Sequence, residues 1–340
     1  MLVTTMLVLV ACTEGEKGIC AANEEGTTLS VDSDALAPST TVPNIASQAI
    51  YDVLFQPGIT YGQGQCHQKF DNQEGTATDL ILDAFVPDNA AESRPAIVLI
   101  HGGAFNGGTR EHESLVSMAY HFAARGFVAF SIDYRLKSDF GTVPQEWIDA
   151  AAGQETVNDD EILKIYPALR DSKAAMRWVV ANAGHFNINP DYISVGGGSA
   201  GANASIGVAI TDQEDYRDEL SFDIDPTLET THTEETYAVQ AILDLWGSDI
   251  AVDTIESISG GQHFDSESPP ILIVHGTEDP TVLFENAEDL KNTYDEIGVP
   301  YEYHPVEGRG HGAWNVSFNG KSLNELAFDF AIGQQDLVVE

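Results

Sequence analysis

The chain has 340 residues, of which 43% are hydrophobic and 9% aromatic, so it can bury a large core and is not wholly disordered. Only 15 Lys and Arg residues stand against 54 Asp and Glu residues, which leaves a formal net charge of −39. Such a surface repels nucleic-acid phosphates and anionic membranes, so neither is an expected partner.

The chain begins with an apolar run that ends at Cys12. This run is shorter than the roughly 20 apolar residues that a membrane-spanning helix needs, and it is typical of the hydrophobic region of an export signal. Residues 9–12 resemble the lipobox of bacterial lipoproteins, which implies a lipid anchor on Cys12. The protein is then exported, as a periplasmic or outer-membrane-anchored lipoprotein or an extracellular protein. No Lys or Arg precedes the run, so a simple apolar tail is the alternative interpretation.

Composition divides the chain into two parts. Residues 1–44 combine the signal segment with a tether rich in acidic and small residues, predicted to be flexible. Residues 45–340 are predicted to form one folded domain. Cys20 and Cys66 either pair in an oxidising compartment or remain free thiols, and the spacing of the three cysteines matches no zinc or redox motif.

From residue 45 onward, strands alternate with helices, which predicts an α/β fold with a mostly parallel central sheet and helices on both faces. A long loop or a small excursion is predicted over residues 137–158, and a helix over 159–182 is expected to be interrupted near Pro167. The predicted strands are 49–54, 78–86, 96–100, 127–132, 192–195, 238–245, 270–274 and 301–305. The other predicted helices are 113–125, 200–210, 284–297 and 323–332.

An acidic insertion lies at about residues 211–236. Between Asp212 and Glu235 the sequence has ten acidic residues and one basic residue, Arg217. The simpler interpretation is a solvated surface insertion, and the alternative is a flap that covers a pocket.

The segment Gly197–Gly201 matches the pattern G-x-S-x-G and lies between an apolar strand and a helix of small residues. This is the strand–turn–helix context of a nucleophile elbow, in which a sharp turn exposes the serine hydroxyl. Small neighbours leave room for the strained serine backbone. The helix dipole behind the serine favours developing negative charge. Ser199 is therefore the predicted nucleophile, and a plain glycine-rich turn is the alternative.

The segment His101–Phe105 follows another apolar strand and resembles the HGG(G) element of lipases and esterases, whose backbone N–H groups help to form an oxyanion hole. Gly103, Ala104 and Ala200 are the predicted donors. Ala104 replaces the third glycine of the element, and it can serve as a donor provided that its φ is negative. We predict a structural role for His101, which orders this loop through hydrogen bonds.

A serine nucleophile of this kind needs an acid and a base later in the chain, in the order Ser…Asp/Glu…His. Asp279 lies in the segment His275–Val282, which resembles the H-G-x-x-D-x-x-V segment that carries the acid. Glu278 and Asp249 are the competing acids. His311, in a glycine-rich loop after the last predicted strand, is the predicted base.

Taken in order, these motifs resemble those of α/β-hydrolases, and in particular of bacterial carboxylesterases of the hormone-sensitive-lipase-like and feruloyl-esterase-like kind. The resemblance implies an α/β-hydrolase fold from about residue 45 to the C-terminus. It also implies a serine carboxylic-ester hydrolase that needs no metal or organic cofactor. Three aromatic residues are predicted to bind substrate and could instead belong to the core: Phe105, Trp246 and Trp314.

The resemblance implies a substrate class, and alternatives to it stay open. Short-chain, acetyl or feruloyl-type neutral esters, free or linked to a polymer, are the expected substrates. A polyester hydrolase, an amidase or a peptidase would use the same three residues, although a peptidase usually carries an additional substrate-binding domain for which we find no room. The alternative outside the enzymes is a hydrolase-like binding protein that has no catalytic activity.

Overall fold

The structure is a computed structural model that describes residues 18–22, 24–29, 37–152 and 159–340. The predicted lipobox at Cys12 lies outside these residues. The strands are β1 (Asn44–Ile45), β2 (Val53–Cys66), β3 (Thr76–Pro87), β4 (Arg94–Ile100), β5 (Val128–Ile132), β6 (Ile188–Gly198), β7 (Ala241–Leu245), β8 (Ile271–Gly276), β9 (Tyr301–Val306), β10 (Ser317–Phe318), β11 (Lys321–Ser322) and β12 (Val338–Val339). The helices are α1 (Ile19–Ala22), α2 (Glu113–Ala123), α3 (Gln145–Ala152), α4 (Asp159–Leu163), α5 (Ile165–Ala181), α6 (Ala183–Phe186), α7 (Ala200–Ile210), α8 (Ile250–Ser259), α9 (Phe284–Ile297) and α10 (Leu323–Gln334).

Eight strands form one sheet in the order β2-β3-β5-β4-β6-β7-β8-β9. The two pairings at the β2 end are antiparallel, and the five from β5 to β9 are parallel. Every residue of β4, β7 and β8 is buried, as expected for parallel strands covered on both faces. The predicted mostly parallel α/β sheet is confirmed.

Helices cover both faces of this sheet. Alternate residues of each strand point to opposite faces, so each buried strand contributes apolar side chains to two cores. Leu243 packs in a core with α2 and α10. Its neighbour Ile242 packs on the other face, against α7, α8 and α9, and α5 extends this second layer over the β2 half. In the described part of the chain, no helix is long and apolar enough to cross a bilayer.

The first strand of the sheet differs from the prediction of 49–54. β2 begins at Val53 and continues to Cys66 as the antiparallel edge strand. Its second half is rich in glycine and glutamine, which gave no apolar signal. A Cβ added at Gly64 would lie only 2.5 Å from Nε of Arg135, so the strand needs glycine there to admit the buried guanidinium.

The structure refines two predictions about the middle of the chain. Residues 137–158 are not wholly loop, because α3 forms there and buries Trp147. The interruption predicted near Pro167 lies at Lys164, between α4 and α5. Pro167 is the third residue of α5, where a missing backbone N–H costs the helix no hydrogen bond.

The acidic insertion at 211–236 is packed against the domain by buried side chains. Tyr216 is fully buried and its ring lies 5.6 Å from that of Tyr166 in α5. Asp225 is buried and forms an ion pair with buried Arg170 at 2.9 Å. None of the hydrogen bonds described for this segment involves Ser199, Asp279 or His311. The two contacts above join the segment to α5 instead.

Two described pieces of the predicted tether, 18–22 and 24–29, lie against the domain. The carboxylate of Glu24 forms an ion pair with Arg110 at 2.7 Å. Cys20 and Cys66 form a disulfide, which decides between the two alternatives for these cysteines. A disulfide and an ion pair thus connect these two pieces to the domain, and the flexibility of the tether stays a prediction.

Candidate active site

Ser199 lies at the sharp turn between β6 and α7. Its backbone has φ 57° and ψ −124°, a region that residues with a side chain rarely adopt. The turn is tight because Gly197 and Gly201 lie against Ile100, and a Cβ at Gly201 would be 2.0 Å from the Ile100 carbonyl oxygen. The glycines of the motif are therefore required by close packing.

Three predicted residues meet beside this turn. His311 Nε2 lies 2.8 Å from Ser199 Oγ, and His311 Nδ1 lies 2.7 Å from Asp279 Oδ2. Because the Asp279 carboxylate only accepts hydrogen bonds, His311 donates from Nδ1, and neutral imidazole then presents the Nε2 lone pair to the serine hydroxyl. This is the arrangement in which a serine can lose its proton to the ring.

The Asp279 carboxyl is buried and well supplied with donors. Its Oδ1 accepts the backbone N–H groups of Thr281 at 2.8 Å and Val282 at 3.1 Å. Burial alone would raise the pKa of Asp279, but hydrogen bonds from His275, His311 and Thr281 outweigh it and hold the pKa well below its usual range. The group is therefore a carboxylate at neutral pH.

Neither of the competing acids, Glu278 and Asp249, takes the place of Asp279 beside the ring of His311. Glu278 is exposed, and Asp249 lies at the N-terminus of α8. Burial, and next the charge of Asp253, raise the pKa of Asp249 to about 7. Among the described carboxylates, Asp279 is the one that hydrogen-bonds the ring of His311.

The predicted oxyanion loop has an unusual backbone. Gly103 has φ 116° and Ala104 has φ 54°, so the condition of a negative φ that was attached to Ala104 is not met. The positive φ leaves the backbone N–H of Ala104 in place as a donor. A Cβ at Gly103 would lie 2.0 Å from the Gly107 carbonyl oxygen, which shows how tightly the loop turns back on itself. Within the described residues, the N–H groups of Gly103, Ala104 and Ala200 donate to no protein acceptor, so all three are available to a ligand.

His101 is buried beneath this loop, as its predicted structural role requires. Its Nδ1 lies 2.7 Å from the Gly102 carbonyl oxygen, and its ring stacks on Tyr134 with centroids 4.2 Å apart. The hydroxyl of Tyr134 donates to the carbonyl of His101 at 2.9 Å. His101 therefore orders the loop.

The three predicted substrate-binding aromatics differ in accessibility. Trp246 is 1% exposed and Phe105 is 4% exposed, so in this conformation both belong to the core, because their rings have little surface to offer a ligand. Trp314 is partly exposed and packs edge-on against Trp246, with centroids 4.8 Å apart. It also lies close to Gly198 beside the nucleophile. Of the three, Trp314 is the one whose ring is partly exposed next to the Ser199 turn.

Sequence analysis did not single out two residues beside the site. His275 opens the segment that carries Asp279, and its Nε2 lies 3.4 Å from Asp279 Oδ2. Asn203, one turn into α7, accepts the Ser248 backbone N–H at 2.7 Å. The first histidine of the H-G-x-x-D segment was the available signal for His275.

One group of potential metal ligands lies away from the triad. The ligand atoms of Asp212, Asp215 and His263 are all within 4.8 Å of one another. Both ring nitrogens of His263 already contact carboxylates, Asp215 at 3.0 Å and Glu256 at 3.1 Å. Serine-based acyl transfer requires no metal at Ser199.

The sheet order, the nucleophile turn after β6, and the acid and base in the loops after β8 and β9 define an α/β-hydrolase fold. The model of the prolyl oligopeptidase family, peptidase S9, matches residues 113–334. The chain belongs to this family.

Solved structures with the same fold include esterases. A carbohydrate esterase from gut microbiota, in truncated form, aligns with a TM-score of 0.58 at 21% identity, over 86% of this chain and 99% of that one. Esterase 2 of Thermogutta terrifontis, with butyrate bound, aligns with a TM-score of 0.54 at 22% identity, over 81% of this chain and 92% of that one.

Curated relatives are similar over a shorter segment. Carboxylesterase NlhH of Mycobacterium tuberculosis is 30% identical over 129 residues, which are 38% of this chain and 33% of that protein. The para-nitrobenzyl esterase of Bacillus subtilis is 31% identical over 122 residues, which are 36% of this chain and 22% of that protein. The chain thus spans a third or less of the length of these two relatives.

Proposed function

We propose that the protein is a serine carboxylic-ester hydrolase of the hormone-sensitive-lipase-like or feruloyl-esterase-like kind. The observation that carries this proposal is the hydrogen-bonded series Asp279–His311–Ser199, with distances of 2.7 and 2.8 Å, at a strained strand–helix turn. The esterase names of the relatives add support.

In the proposed reaction, Ser199 Oγ attacks the ester carbonyl while His311 Nε2 takes its proton. Asp279 keeps the imidazole in the required tautomer and stabilises the imidazolium that forms. The backbone N–H groups of Gly103, Ala104 and Ala200 stabilise the oxyanion. One such donor contributes on the order of 3 kcal/mol in comparable sites.

Collapse of the tetrahedral intermediate expels the alcohol, which receives the proton from His311 and leaves Ser199 acylated. Water then attacks the acyl group, with His311 again acting as the base, and Ser199 is released. Every step uses groups of the protein and water, so we propose no cofactor.

We propose neutral esters with a short acyl chain, an acetyl group or a feruloyl group as substrates. The net charge of −39 disfavours the approach of anionic substrates. The partly exposed ring of Trp314 beside the nucleophile offers an apolar contact for an acyl or aromatic group.

The test is hydrolysis of p-nitrophenyl esters from acetate to decanoate, together with acetylated xylan and methyl ferulate. We expect the wild type to prefer the short esters and Ser199→Ala to lose at least about 10⁴-fold in kcat. Ser257→Ala, which changes an exposed serine on α8, is the matched control and should keep wild-type rates. Equal activity in Ser199→Ala and the control would refute the proposal.

Amide hydrolysis is the second candidate, because the family match is to prolyl oligopeptidases and the same three residues cleave amides. Peptidyl-prolyl p-nitroanilides assayed beside p-nitrophenyl acetate separate the two activities. A higher kcat/KM for the anilide would make the protein a peptidase. Absence of turnover on both substrates would favour the binding protein without activity.

We also propose that the protein is exported and lipid-anchored through Cys12. The disulfide between Cys20 and Cys66 supports export, since such bonds persist in oxidising compartments. Expression in a Gram-negative host should place the wild type in the membrane fraction and Cys12→Ala in the soluble fraction. Equal distribution of both forms would contradict the anchor.

A further inference from the structure

His275 is a fully buried histidine at the C-terminal end of β8, behind the acid of the candidate triad. Its Nε2 lies 2.9 Å from the Val282 carbonyl oxygen and 3.4 Å from Asp279 Oδ2. The latter oxygen is also the one that accepts from His311. The ring therefore contacts the acid without touching the nucleophile or the base.

Val282 connects His275 to the orientation of Asp279. Its backbone N–H donates to Asp279 Oδ1 at 3.1 Å, and its carbonyl faces His275 Nε2. Because a carbonyl can only accept, Nε2 must carry a proton. His275 thus holds the turn whose N–H groups hold the Asp279 carboxylate.

The charge of Asp244, on the neighbouring strand β7, also acts on the ring. β7 and β8 pair Asp244 with Ile273, two positions before His275, so Asp244 and His275 point to the same face of the sheet as diagonal neighbours. Asp244 Oδ1 accepts the Gly247 N–H at 2.8 Å. Its Oδ2 and His275 Nδ1 are both buried and have no hydrogen-bond partner among the described residues.

Asp244 and His275 influence each other's protonation through charge, without a hydrogen bond between them. Burial raises the pKa of Asp244 to about 6. Burial alone would lower the pKa of His275, but the hydrogen bond to Asp279 and the charge of Asp244 raise it. Phe284 of α9 also lies near the ring, with 6.1 Å between the ring centroids.

We propose that His275 is a positioning residue of this active site. It fixes the Asp279 carboxylate through the Val282 turn, to which its Nε2 donates. No bond is made or broken, and the proton remains on Nε2. The proposal rests on the proposed hydrolytic function.

Three substitutions of His275 distinguish the effect of its hydrogen-bond donor on catalysis from the effect of its side-chain volume. The Gln side-chain amide reaches the position of Nε2 and can still donate to Val282, whereas the shorter Asn amide cannot, and Leu has no donor. We expect kcat on p-nitrophenyl acetate to fall about 10- to 100-fold in His275→Asn and His275→Leu, but less than about 5-fold in His275→Gln. KM should stay within about 2-fold of wild type, since substrate contacts are unchanged.

Two controls complete the experiment. His304→Leu changes a partly buried histidine on the neighbouring strand β9, whose Nε2 contacts Glu302, and should keep wild-type kcat. Asp244→Asn keeps an acceptor for the Gly247 N–H but removes the charge near the ring, and should keep kcat closer to wild type than His275→Leu does.

A downfield proton resonance from the His311 Nδ1–H···Asp279 hydrogen bond gives a readout independent of turnover. We expect it to persist in His275→Gln and to weaken in His275→Asn. Wild-type kcat in His275→Asn, or an equal loss in the Gln and Asn variants, would overturn the positioning role. A wild type that cleaves no ester would refute the proposed function instead, and the resonance would still test His275.

Discussion

His311 Nε2 lies 2.8 Å from Ser199 Oγ, although 112 positions separate the two residues along the chain. The contact arises because β6, β7, β8 and β9 are parallel neighbours, so the loops that follow them converge at one edge of the sheet. The hydrogen bond from His311 to Asp279 completes the arrangement. Substitutions at and around this edge therefore have specific expected effects.

Asp279→Asn should leave the fold intact and lower kcat about 10³- to 10⁴-fold with little change in KM. An amide can donate to His311 Nδ1, which stabilises the tautomer with its proton on Nε2 and removes the base from Ser199. Steady-state kinetics on p-nitrophenyl acetate measure the loss. Glu278→Gln, next in the chain but exposed, is the control, and a larger loss there than in Asp279→Asn would assign the acid to Glu278.

Ala104→Gly should keep activity within about 3-fold of wild type and leave the melting temperature equal or higher. Ala104 has φ 54°, which costs a residue with a Cβ about 1–2 kcal/mol. Glycine removes that cost, offset in part by its larger entropy in the unfolded state. Calorimetry and esterase kinetics measure both effects. Ala104→Val, which is β-branched, should be less stable and less active, and a clear loss in the glycine variant would be inconsistent with this explanation.

Cys20→Ser with Cys66→Ser should lower the free energy of unfolding by about 2–4 kcal/mol. The disulfide closes a loop with a sequence separation of 46, and cross-links of such length restrict the unfolded chain strongly. Urea unfolding measures the change, and peptide mapping without reductant identifies the pair. Activity should remain, since neither cysteine contacts the triad. Unfolding curves that coincide for the two proteins would exclude a stabilising bond.

Lys173 should make stability depend on pH in the alkaline range. It is fully buried in α5, and its ammonium donates to the Asp212 carbonyl at 2.5 Å and the Asp215 carbonyl at 3.0 Å. Burial lowers its pKa to about 7, below the value of about 10.4 in an unfolded chain. Between these values the unfolded state binds more protons, so stability rises with pH.

The comparison is between the wild type and Lys173→Met, which cannot titrate at this position. From pH 7 to pH 9 the wild type should gain about 2 kcal/mol of unfolding free energy relative to the variant. Urea unfolding of both proteins at the two pH values measures the difference. A difference that does not change with pH would mean that Lys173 stays charged in the folded state.

The sheet and the candidate triad were largely predictable, because each leaves a local signal. The central strands are continuous apolar runs, as in β4. The turn at Ser199 requires glycines that the sequence displays. The edge strand β2 left no such signal, since its glycines serve the packing of Arg135, which is distant in the chain.

Other features depend on tertiary placement and could not be read from local patterns. The positive φ of Ala104 follows from the turn of the whole loop. The burial of Trp246 follows from its position between the sheet and Trp314. The placement of Asp244 and His275 on the same face of the sheet requires the register of β7 against β8, which sequence periodicity alone does not specify.

The most direct test is covalent labelling of the native protein with a fluorophosphonate, followed by intact-mass measurement and peptide mapping. An activated serine is required for the reaction. We predict one adduct per chain, located on Ser199 and absent from Ser199→Ala. Labelling on another residue, or none at all in the folded wild type, would contradict the assignment of Ser199 as the nucleophile.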